Sequence, residues 1–162
     1  SSHFVLKGNS VTLSLFLHLL SVVVWVGGMF FDYMALRPVA ASLLEPPQRL
    51  ALWAGVFGKF FPWVWASVTL ILLTGLHMLM KLGGAAAPHY AWTMLVLGVT
   101  MMLIFAHVFF APYGRLRRAV GAHDWKAGGA ALGQIRRLIG INLSLGLLTI
   151  AVVFLGRVAA LN

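Results

Sequence analysis

The chain contains no cysteine, which at once excludes disulfides, iron–sulfur clusters, thiolate catalysis, cysteine-based zinc sites and covalently attached haem. A metal would have to be held by His, Met or carboxylate. Carboxylates are scarce as well, since Asp32, Glu45 and Asp124 are the only acidic residues among 162. Paired-carboxylate chemistry has little to work with, and no glycine-rich phosphate loop follows a strand. Charged residues make up 9% of the chain against 61% hydrophobic. A water-facing surface cannot be built from that ratio, so lipid must serve as the solvent.

A helix needs about 20 apolar residues to cross a bilayer, and four such runs are present, at about 11–36, 51–81, 90–112 and 135–157. The first ends at Arg37-Pro38, where a charge meets a residue that cannot continue a helix, and the second closes at Gly83-Gly84. The first run is longer than a signal-peptide core and carries His18 and Asp32, so it is read as a mature helix. The expected fold is all-α: an integral membrane bundle of four transmembrane helices, one domain over residues 1–162, with both termini on one side.

Orientation follows from the basic residues. Arg37, Arg49, Arg115, Arg117, Arg118, Lys126, Arg136 and Arg137 fall on one side, and Lys7, Lys81 and Arg157 on the other. The positive-inside rule makes the arginine-rich side cytoplasmic and places both termini on the outer side. The net charge of +9 is then a topology signal, and nucleic acid is not an expected partner. The segment 113–134 reads as a connection carrying a short interfacial helix.

Ionisable groups inside a span are costly, about 2.5–3.5 kcal/mol each when charged, and five need a reason: His18, Asp32, Lys59, His77 and His107. At 100° per residue, Ser14, His18, Ser21, Trp25, Met29 and Asp32 form one stripe of the first helix, which must face protein or cofactor, while Leu15, Leu20, Val24 and Phe31 suit lipid. Gly27-Gly28 allows a neighbour to approach closely. On the second helix Lys59, Trp63, Leu70, Thr74 and His77 share a face, with Lys59 either snorkelling to headgroups or pairing with Asp32. On the third, Thr93, Thr100 and His107 align.

Depth decides which of these can meet. His18 lies roughly 10 Å and His77 roughly 6 Å below the outer surface, whereas His107 lies roughly 13 Å deeper than His18 and is level with Met29. Two histidines at one level on antiparallel helices suit a bis-imidazole haem b, with Trp25 against the porphyrin and Lys81 near its propionates. His107 with Met29 is the second candidate metal pair. Hydrogen bonding of each His to a backbone carbonyl, Ser or Thr is the competing account. Copper is the other metal: soft thioether selects Cu(I), and Met29, Met34, Met78 and Met80 are available to line a path. No catalytic residue is assigned.

The stretch LHLLSVVVWVGGMFFDYMALRP at 17–38, with its His, Trp-Val-Gly-Gly and Arg-Pro, resembles the opening helix of the CopD family of bacterial membrane proteins. LLTGLHM at 72–78 and AHVFFAPYGRLRRA at 106–119 resemble that family's second and third helices. A more distant likeness is to HemJ, a haem-binding membrane protein. The first resemblance implies copper handling and the second haem. The residues themselves favour haem-based electron transfer, with a quinone or small oxidant as redox partner, and copper transport as the alternative. The glycine notch adds a homodimer to the expected partners.

Overall fold

The structure, a computed structural model, describes residues 2–159, with side chains from residue 9 onward. The Lys7 side chain and both chain ends, which enter the orientation argument, lie outside the described residues. Among the described residues there are six α-helices: α1 (Ser2–Phe31), α2 (Arg37–Leu43), α3 (Pro46–Lys81), α4 (His89–Phe110), α5 (Pro112–Gly121) and α6 (Trp125–Ala159). Among the described residues there is no strand. Four segments are long and apolar enough to cross a membrane: Asn9–Leu43, Pro46–Lys81, His89–Gly121 and Trp125–Ala159.

The first span overruns its expected end at Arg37. Between α1 and α2 the chain makes a π-helical turn over Asp32–Leu36, in which the Arg37 N–H bonds back to the Asp32 carbonyl. A wider turn takes up the Pro38 ring, which in a regular α-helix would collide with the carbonyl of Met34 four residues earlier. Arg37 also lies over the Tyr33 ring at 4.7 Å, so the charge is accommodated rather than terminating the helix. The last span begins at Trp125 instead of near residue 135. Asp124 Oδ1 accepts the Ala127 N–H at 3.0 Å as an N-cap, and Gly128, Ala131 and Leu132 are buried. Small residues let this turn pack closely although its hydropathy is low.

Two other breaks have local causes. Gly83 and Gly84 have φ of +108° and +56°, a left-handed conformation that ends α3. Pro112 stops α4 and starts α5 at its first turn.

The helices associate as two antiparallel pairs, α1 with α3 and α4 with α6, and α5 folds back on α6. The pairs are joined at the arginine-rich end by an aromatic cluster. Trp53, Phe57 and Phe61 repeat every four residues on α3; Phe57 stacks on Phe61 at 5.0 Å, and Phe61 meets Tyr113 of α5 at 4.9 Å and Phe105 of α4 at 5.4 Å. Outward faces stay apolar, as lipid requires: Val23 is 67% exposed, Phe110 74% and Phe154 67%.

The four crossings place the 82–88 connection and the α5–α6 turn on opposite sides. A reporter inserted at Gly84 is therefore expected to be active outside the cytoplasm and one at Asp124 inside it, as alkaline phosphatase and fluorescent-protein fusions would read. The opposite pattern would place the arginine-rich end outside the cytoplasm.

Candidate functional site

The polar stripe of α1 faces inward. His18, Ser21, Trp25 and Met29 are buried and Ser14 and Asp32 half-buried, while Leu15, Leu20 and Phe31 are exposed and Val24 is partly so. Its partner is α3, and two cross-helix hydrogen bonds set the register: Ser14 Oγ with His77 Nδ1 at 2.8 Å, and His18 Nδ1 with Thr74 Oγ1 at 3.0 Å. His18 and His77 therefore occupy successive rungs of a ladder, about one helical turn apart, each bonded to a hydroxyl of the opposite helix and not paired with the other.

The Thr74 hydroxyl proton is used on the Leu70 carbonyl, 2.5 Å away. Its oxygen can then only accept from His18, so the hydrogen of the ring sits on Nδ1 and Nε2 keeps its lone pair. The Nδ1–Cε1 edge lies against the α3 backbone at Gly75, where a Cβ would come within 3.3 Å of Cε1. Gly75 is the residue that allows this approach. An acceptor that orients one ring nitrogen while the other keeps its lone pair prepares an imidazole for a metal.

His18 lines a cavity of about 350 Å³ in the half of the bundle nearer the 82–88 connection, between the two helix pairs. Met78 of α3 and Met94, Met101 and Met102 of α4 line it as well, and Arg157 of α6 reaches it. Gly98 lies between Met94 and Met102 at helical spacing, and nothing lies within 4 Å of where its Cβ would sit; the missing side chain is what keeps the space open. Trp25 forms part of the wall. His77 is not among the lining residues, so the two histidines do not face one cavity.

The remaining candidates are dispersed. His107 is exposed on α4 whereas Met29 is 4% exposed and turned inward, and the two are not brought together. Lys81, Met34 and Met80 are exposed. Lys59 and Trp63 are exposed while Thr74 is buried, so the expected shared face of α3 divides between lipid and protein. Asp32 has Arg136 and Arg37 as its charged neighbours rather than Lys59. Met94, Met101, Met102 and Arg157 were not singled out from the sequence. The spacing of seven and eight between the methionines, with Gly98 in the same stripe, is the signal that would have found them.

Among the described residues no three His, Cys, Asp or Glu side chains gather as a metal site. Harder divalent ions, which need several nitrogen or oxygen donors, have no such set. One imidazole with several thioethers is instead a soft donor set.

Fold and cavity together define a polytopic helical membrane protein with a methionine-lined chamber. The family profile of copper resistance protein D, CopD, matches residues 54–155, and the chain belongs to that family. The match begins within α3, so His18 is supplied by a helix that precedes it. No curated protein and no solved structure matches the chain.

Proposed function

We propose that the chain moves copper across a bacterial inner membrane and that its methionine-lined chamber, opening toward the periplasmic half, is where Cu(I) binds as cargo. The observation that carries this reading is the meeting of the His18 ring with Met78, Met94, Met101 and Met102 around one cavity. Imidazole nitrogen and thioether sulfur are ligands that Cu(I) accepts at low coordination number, and an apolar wall favours a monovalent ion over a divalent one. The four spans act as one domain around the chamber. Gly27, whose Cβ position is open, offers a face to a second copy.

The test is to close the chamber without touching a ligand. Gly98→Leu projects into the cavity and is expected to weaken Cu(I) binding at least roughly tenfold, ~1.4 kcal/mol. Fold stability should hold or rise, since glycine inside a helix costs about 0.5–1 kcal/mol. Competition with a chromophoric Cu(I) chelator in nanodiscs measures the first, and copper accumulation by cells expressing the protein measures transport. Full Cu(I) affinity in the Leu variant would remove the chamber from the copper account.

One observation favours a second reading. Arg157 at the cavity matches a carboxylate rather than a cation, which suits the propionates of haem b. His18 and a methionine thioether would then be the axial ligands, in place of the His18–His77 pair and Lys81, and a quinol the electron donor. A Soret band in the purified protein that is lost with His18→Ala would favour haem over copper.

A further inference from the structure

A second, smaller space lies below the chamber, about 20 Å³ in volume and lined by Trp25, Met29, Asp32, Phe61, Phe105 and Asn142 among others. Trp25 lines both spaces, so this void is the next polar position along the bundle axis. Asp32 Oδ1 and Asn142 Oδ1 are both buried and have no hydrogen-bond partner among the described residues. Asn142 is only 3% exposed. Its amide nitrogen donates to the Met101 carbonyl at 3.3 Å; a carbonyl only accepts, so the nitrogen and oxygen of Asn142 are unambiguous and Oδ1 is a true unpaired acceptor.

An ionised Asp32 only accepts, so it and the Asn142 carbonyl cannot satisfy each other, and each left bare in an apolar interior is costly. Water is the smallest molecule with two donors, and a void needs only about 10–15 Å³ to hold one. The backbone supports the same conclusion. Asp32 opens the π-helical turn, a widening that alters the direction of a side chain relative to a regular helix and is common at functional positions. Tyr33, in the same turn, packs against Gly140 of α6, where a Cβ would lie 3.0 Å from the ring. The turn is thereby seated on the helix that carries Asn142.

We infer that this void is a hydration site, holding one water that donates one O–H to Asp32 Oδ1 and the other to Asn142 Oδ1. The charged groups facing Asp32 are Arg37 at the end of its own turn and Arg136 of α6, with Arg49 of α3 beside Arg136. Arg136 Nε and Arg49 Nε are themselves buried without a partner, so neither guanidinium fills the donor role through that nitrogen. The water links the first span to the last in a layer otherwise built of aromatic and aliphatic side chains. It also marks the polar step between the chamber and the arginine-rich end.

An experimental map of the full chain in lipid, at a resolution that shows ordered water, is expected to contain a peak within hydrogen-bonding distance of both oxygens. No peak, Arg136 swung onto Asp32, or a peak that appears only with sodium present would each overturn the assignment. A second measurement is independent of the map. Val64 lines the same void, and Val64→Ile adds one methyl toward it. In a dry void that methyl is neutral or stabilising; in a hydrated one it expels the water and lowers the folding equilibrium constant by roughly tenfold. The same substitution in an Asn142→Leu background distinguishes crowding from dehydration. Expulsion of water predicts a much smaller loss there, and an equal loss in both backgrounds rejects the hydration site.

Discussion

His18→Ala is expected to remove most of the Cu(I) binding proposed for the chamber, whereas His77→Ala is expected to leave it nearly intact. The asymmetry follows from the wall of the cavity: His18 contributes to it and His77 does not. Loss of the sole nitrogen donor leaves thioethers alone, which bind Cu(I) more weakly, and a decrease of at least roughly 100-fold, ~2.7 kcal/mol, is expected in chelator competition. Thr74→Val tests how the ring is prepared. The methyl replaces the hydroxyl at nearly the same volume and removes the acceptor at 3.0 Å from Nδ1, leaving the Ile71 backbone as the ring's remaining partner, which should cost about tenfold in affinity. Equal losses from His18→Ala and His77→Ala would instead return attention to a site bridged by both rings.

Phe61→Ala is expected to unfold the protein at much lower denaturant than the intact chain requires. Phe61 is 3% exposed and touches the rings of Phe57, Phe105, Phe109 and Tyr113, so its removal opens a cavity among residues from three helices. A loss of about 3–5 kcal/mol is typical for Phe→Ala in a close-packed core. Lipid chains are as apolar as the ring, so here the loss comes from dispersion contacts and ring geometry rather than from exclusion of water. Unfolding by sodium dodecyl sulfate in mixed micelles measures it. A loss below about 1 kcal/mol would mean that lipid or side-chain rearrangement fills the space.

The four spans were legible because hydropathy acts along the whole chain and a bilayer requires it. Their ends were less so. Arg37-Pro38 looks like a stop, and becomes a continuation only because a π turn intervenes, which no side-chain pattern announces. The start at Trp125 is hidden by glycine and alanine, whose helical role depends on what they pack against. The inward stripe from Ser14 to Asp32 was legible from helical period alone, and the nearness in depth of His18 and His77, which sit about one turn apart, from rise per residue. Which way each ring faces was not, because a rotation of one helix by a fraction of a turn decides whether His77 meets the cavity or Ser14. The methionines of α4 were hidden for a related reason: a thioether in an apolar run looks like packing until neighbouring helices leave a space in front of it.

The distribution of aromatic rings has a mechanical consequence. One end of the bundle is pinned by a stack of flat, rotamer-poor side chains contributed by α3, α4 and α5, and the other end is spaced by methionines, which are flexible, around an opening. The opening is nevertheless held at both ends, because the 82–88 connection ties α3 to α4 where Leu79, Ala87 and Ala91 pack together. Widening the chamber would have to bow the helices between two fixed points, as a bow is drawn, and could not spread them like a fork.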